Sequence, residues 1–176
     1  MSRRSRPSRA RHNRRSVARP GDGPLRIDIA WCLRKSWRAV SLLNRVAEYT
    51  TRAEGFLTGE LSVAVVGARA MRQLHHRFLG VAEITDVLAF DFATAQRRRH
   101  LDGEVVLCAD LARRRCPRRQ RWLPAARAEL ALYLVHGILH LAGYDDHTPA
   151  QAARMHARTD QLLTAAGLGP IFSRKG

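Results

Sequence analysis

The stretch PAARAELALYLVHGILHLAGYDDH, residues 124–147, is almost unbroken helix former up to Gly143 and carries three histidines in its last twelve residues. Pro124 stands at an N1-like position, where a missing N–H costs nothing, and Gly143 supplies a stop. The spacing therefore predicts one long helix. Val135, Ile138, Leu139 and Leu141 make it the most apolar helix of the chain, which places it in the core.

Working outward, LRIDIAW (25–31) alternates apolar and polar residues and predicts a strand after the breaker cluster Pro20 to Pro24. Trp37, Val40, Leu43, Val46 and Ala47 recur at helical spacing, so residues 36–54 are expected to form a helix with Ser36 as N-cap and Gly55 as its end. ELSVAVVG (60–67) reads as a second strand, and residues 68–80 as a short helix stopped by Gly80. TDVLAFDF (85–92) and GEVVLCAD (103–110) are the third and fourth strands, with Arg97 to His100 between them as an exposed loop. Residues 111–122, with six Arg in twelve, read either as a solvated helix and loop or as a phosphate-facing surface. Residues 148–168 form a last amphipathic helix with Thr148 as N-cap and Pro149 at N1. The expected fold is α+β, a small mixed sheet of about four strands packed with helices. Residues 25–170 are its expected extent, with a basic tail at 171–176.

The charge balance points to a partner. Thirty-one Lys plus Arg against fifteen Asp plus Glu give a net charge of +16 in 176 residues, and nearly all the cations are Arg. Guanidinium groups fork onto phosphates, so a polyanion, most simply a nucleic acid, is the implied partner. Charge reports affinity and not chemistry, so a passive binder fits equally well. Eight of the arginines lie in residues 1–22 with no acid before Asp22, which reads as a disordered basic arm. A targeting segment is the alternative, but the stretch lacks an amphipathic face and a secretory apolar core. Cys32, Cys108 and Cys116, an odd number without a Cys-x-x-Cys pair, read as free thiols of a reducing compartment. No apolar run is long enough to span a membrane.

The chemistry lies in the histidines. His136 and His140 are four apart on a helix, so both imidazoles leave the same face one turn apart, the spacing by which a helix supplies two zinc ligands. In so apolar a helix, two unpartnered imidazoles are costly to bury. Gly143 turns the chain back and His147 follows, an arrangement like the metzincin motif His-Glu-x-x-His-x-x-Gly-x-x-His. Three His with a fourth position open describe a catalytic zinc site rather than a structural one. A zinc peptidase needs Glu after the first His as its base, and here that position is Gly137. What remains is a Lewis acid in a highly cationic protein, which suits a phosphodiester. Asp145 and Asp146 supply a base or orient a ligand, or else form a capped polar turn.

HGILHLAGYDDH (136–147) resembles the signature His-Gly-x-Leu-His-Leu-x-Gly-Tyr-Asp-His of the YbeY family of bacterial rRNA-maturation endoribonucleases. LHHRFLGVAEITDVLAFDF (74–92) and GEVVLCAD (103–110) are similar to two further segments of that family, in the same order and spacing. The resemblance covers about residues 25–168. It implies a single zinc ion held by His136, His140 and His147, and cleavage of single-stranded RNA. It also implies maturation of the 3′ end of 16S rRNA and ribosome quality control in the cytoplasm, with rRNA, the ribosome or its small subunit as partner.

Three departures stand out. The slot of the family's third His is Asp146, with His147 one residue later, so Asp146 is the alternative third ligand. The family's Arg before the glycine of the middle segment is Leu79 here, which leaves Arg77 as the candidate to take its catalytic role beside His136. Ile84 and Ala89 replace the family's Pro and Ser, a change of packing. Two rival readings remain open: a zinc hydrolase of another substrate with Glu104 or Glu129 as base, and an RNA-binding assembly factor with a structural metal.

Overall fold

Alternation with period two and apolar stripes with helical period build nine elements from residues 23–34, 37–92, 99–116 and 122–172, the parts of the chain that the computed structural model describes. In order they are β1 (Arg26–Trp31), α1 (Val40–Ala53), β2 (Thr58–Val66), α2 (Ala68–Leu79), β3 (Val87–Asp91), β4 (His100–Cys108), α3 (Ala109–Arg114), α4 (Trp122–Leu141) and α5 (Pro149–Ala165). The sheet order is β1-β2-β4-β3. β1, β2 and β4 run parallel, and β3 pairs antiparallel with β4. This is the mixed sheet expected from the sequence.

Both faces of the sheet are covered, and the strand residues divide accordingly. Leu61, Val63 and Val65 of β2 and Leu101, Val105 and Leu107 of β4 enter the main core with α1 and α4. Val66, Val106 and Cys108 face the other way, against Met71 of α2 and Leu88 of β3. Strands buried on both faces read as near-continuous apolar runs, as VAVV and EVVLC do. α4 is the hub, touching α1, α3, α5, β3 and β4. Its Leu130, Leu134, Val135, Ile138 and Leu139 are fully buried, so it needs an apolar surface all round.

Several boundaries differ from the sequence expectation. α1 begins at Val40 with Ala39 at the N-cap, and Ser36 lies outside the described residues. Trp37 and Ala39 are buried before the helix starts, and the Trp37 ring meets Trp31 edge-on at 5.3 Å. Core packing thus holds this segment out of the helix. His100, expected in an exposed loop, opens β4 opposite Thr58 and is buried, with its Nδ1 3.1 Å from the Thr58 hydroxyl. Arg97 and Arg98 of that loop lie outside the described residues, as do residues 1–22, 117–121 and 173–176. The packed chain also runs beyond residue 170, because Ile171 joins the main core. Thr148 caps α5 as expected, in a reciprocal capping box with Gln151 and with Pro149 at the first helical position. Cys32, Cys108 and Cys116 form no disulfide, and the Cys116 thiol donates to Ala112 O at 3.1 Å. Among the described residues no helix is long and apolar enough to cross a membrane.

Candidate metal centre

The centre forms where α4 ends. His136 and His140, one turn apart, present their Nε2 atoms to each other at 3.2 Å, with the rings edge to face. Two zinc ligands at about 2.0–2.1 Å in a tetrahedral arrangement stand about 3.3–3.4 Å apart, so the pair is already spaced to converge on one ion. Asp146 completes the group with Oδ2 3.5 Å from His136 Nε2. His136, His140 and Asp146 thus place one donor atom each close enough to hold a metal.

The turn after the helix sets this geometry. Gly143 adopts φ 88°, which a residue with a Cβ resists. Its N–H donates to His140 O, and Tyr144 N–H donates to Leu139 O, the paired bonds of a Schellman motif. The reversal brings Tyr144 O to 3.2 Å from His140 Nδ1. With its proton on Nδ1 and donated to that carbonyl, His140 turns the Nε2 lone pair toward the group, the tautomer a metal ligand needs. His136 is mostly buried, and burial followed by the neighbouring His140 pushes its pKa below the ordinary imidazole value. That shift favours the neutral imidazole, the form that ligates a metal. Its Nδ1 is buried with no hydrogen-bond partner among the described residues.

His147 is placed differently. Its ring is 82% exposed and hydrogen-bonds through Nδ1 to the Asp145 carboxylate. That bond holds Asp145 below the usual carboxylate range and raises His147 above the usual imidazole range. Asp145 Oδ1 also accepts the Asp146 N–H at 2.8 Å. The structure therefore joins His136, His140 and Asp146, and leaves His147 in an adjoining group with Asp145 and Asp146. A cleft of about 250 Å³ opens beside the turn, lined in part by Tyr144, Asp145, Gln151 and Arg154.

Gly137 has a second role that its sequence position does not reveal. A Cβ there would lie 2.8 Å from Val105 Cγ1 and 3.1 Å from Val87 Cγ2, so α4 lies hard against the sheet at this residue. A peptidase-type glutamate would collide with β4. Glu104 faces solvent in part, whereas Glu129 is buried in α4. Arg77 lies outside the ligand group, exposed on α2, with its guanidinium 5.6 Å over the Phe78 ring. Arg115 lies 3.4 Å from Asp86 and 5.8 Å over the ring of Tyr133, one turn before His136 on α4. Burial, with Glu129 nearby, pushes the Tyr133 hydroxyl far above its usual pKa.

Two side chains unforeseen in the sequence also reach the site. The rings of His156 on α5 and Phe172 beyond it lie 6.3 and 6.1 Å from that of His136. No helical or strand spacing links residues 136, 156 and 172, so only the folded chain brings them together.

With this arrangement in view, comparison with known proteins is decisive. A family model described as Endoribonuclease YbeY matches residues 34–167. The chain belongs to the YbeY family. Among relatives of that name, one from Anaeromyxobacter sp. is 39% identical over 135 residues, covering 77% of this chain and 68% of its own length. Another, from Anaeromyxobacter dehalogenans, is 37% identical over 139 residues, covering 79% and 70%. A solution structure from Thermotoga maritima is 22% identical with a TM-score of 0.49, covering 80% of this chain and 90% of that one. The YbeY match includes α4, the Gly143 turn and α5, and so the whole donor group.

Proposed function

We propose that this YbeY-family chain is a zinc-dependent endoribonuclease that cuts single-stranded RNA in maturing the 3′ end of 16S rRNA and in late ribosome quality control in the cytoplasm. The observation that carries the reading is the pair of imidazole Nε2 atoms 3.2 Å apart with a carboxylate beside them at the end of α4. The protein ligands are His136, His140 and a third donor from the turn. In this arrangement the third donor is Asp146, with His147 held by Asp145 as its neighbour. Two nitrogens and one oxygen with an open position suit a catalytic zinc.

When bound, zinc supplies Lewis-acid charge at the scissile phosphate or the attacking oxygen. The chain's own residues do the rest. Tyr144 O fixes the His140 tautomer, and the turn carries Asp146 to the pair. The helix has no room for a glutamate at 137, so a route needing that base is closed. Either the RNA's own 2′-hydroxyl or a water is the nucleophile, and in both cases its proton passes to a base as the P–O bond forms and the leaving oxygen departs. Arg side chains then neutralise charge on the phosphate. Arg154 borders the cleft at the turn, and Arg77 is the further candidate carried from the sequence.

The test is cleavage of a labelled single-stranded fragment from the 3′ region of 16S rRNA by the wild type and by His136→Ala. Loss of cleavage in the variant, with its fold retained, supports the reading, and equal cleavage by both rejects the metal mechanism. Tight, salt-sensitive binding without cleavage by either makes the protein an assembly factor. Elemental analysis assigns the third ligand. Metal lost from Asp146→Ala and kept in His147→Ala is expected; the reverse returns that position to His147.

A further inference from the structure

Beyond α5 the chain folds back on itself and delivers an aromatic ring to the metal centre. Asp160 Oδ1 accepts the backbone N–H of Ile171 at 2.7 Å and of Phe172 at 2.9 Å. Ile171, 8% exposed, anchors the same segment in the core. Held at two points, Phe172 stacks on His156 with ring centroids 4.0 Å apart and planes 20° from parallel. Both rings are only half-buried, and both flank His136 at just over 6 Å.

This pair is not needed to assemble the donor group, which comes from α4 and its turn. Phe172 packs against the edge of the core but, unlike Ile171, is not fully buried there. The stacked pair covers its inner faces, so a further ring can join the stack only on an outward face, at the edge of a polar site in a chain of net charge +16. Single-stranded RNA offers the matching chemistry: its phosphates seek cations and its unpaired bases seek flat aromatic faces. A phosphate beside His136 leaves its own or the adjoining base within a side chain's reach of these rings.

We infer that the Phe172–His156 pair is a stacking platform for a nucleobase next to the scissile phosphate, and so contributes to the choice of single strands. The inference rests on the proposed ribonuclease function. It concerns substrate binding, because neither ring takes part in a bond that forms or breaks.

The experiment compares the wild type with Phe172→Leu, which keeps an apolar side chain over the core, and with Phe172→Trp, which restores a π face. Each is given a single-stranded oligoribonucleotide and the same oligonucleotide abasic at the positions flanking the cleaved bond. Stacking of one base on an aromatic ring is worth about tenfold or more in affinity. Phe172→Leu is therefore expected to raise KM about tenfold on the intact strand with kcat little changed and zinc content unaltered. Phe172→Trp is expected to restore KM. On the abasic strand the wild type and Phe172→Leu should be equal. An equal loss on both strands, a loss of zinc, or no change on either overturns the platform. A second readout does not need cleavage: fluorescence of 2-aminopurine at the flanking position. Quenching by the wild type that Phe172→Leu lacks supports the platform even if no RNA is cut, and absence of quenching by the wild type overturns it while leaving measured cleavage intact.

Discussion

Gly137 shows how one residue meets two demands, one chemical and one steric. In the sequence it is the missing base of a zinc peptidase; in the fold it lies where a side chain would run into Val105 of β4. Gly137→Ala tests the steric demand, because helix propensity alone favours Ala by about 1 kcal/mol. The new Cβ would lie 2.8 Å from Val105, and overpacking of this kind costs about 1–3 kcal/mol. A net loss of stability in urea denaturation is the expected outcome; a gain would show that the helix can move off the sheet at no cost. The steric role was not legible in the sequence, because nothing in residues 136–140 says which strand lies opposite them. By contrast, the placement of His136 and His140 on one face follows from their spacing alone. The Asp146–His147 pair stands between these cases, since the ligand is set by side-chain directions in a turn whose spacing differs by one residue from the family signature.

The same division holds for whole elements. Strand and helix identity followed from period, because most faces meet a uniform environment: β2 and β4 alternate between two cores, and the middle of α4 is packed by five other elements. Ends were legible where local chemistry sets them. Thr148 and Gln151 exchange hydrogen bonds at the start of α5, with the Gln151 N–H 3.2 Å from Thr148 Oγ1 and the Thr148 N–H 3.0 Å from Gln151 Oε1. Thr148→Ala removes one partner of that box and should cost about 1 kcal/mol in chemical or thermal unfolding. An unchanged midpoint would mean that packing against α4 sets this end of α5 without help from the cap. Ends set by tertiary contact were not legible. α1 starts late because Trp37 and Ala39 pack into the core, and β4 starts early because His100 pairs with Thr58.

At the scale of the molecule, the apolar interior and the arginine charge are separate devices. The core fixes the donor group, while the arginines supply attraction that depends on distance and salt more than on fold. Eight arginines precede Asp22, within residues 1–22, and the sequence reading of this stretch as a basic arm gives it a phosphate-binding role to test. That role has a measurable signature. For single-stranded nucleic acid, log K falls with log salt with a slope of about −0.7 per phosphate neutralised. Removing residues 1–22 should make the slope for a single-stranded RNA shallower by about 0.7 for each contact the arm makes. It should also weaken binding most at low salt and leave kcat at saturating RNA unchanged. An unchanged slope would confine binding to the folded domain and its own arginines. A lost kcat would show that the arm acts at the cut itself, because a purely electrostatic tether raises the occupancy of the site without altering the chemistry within it.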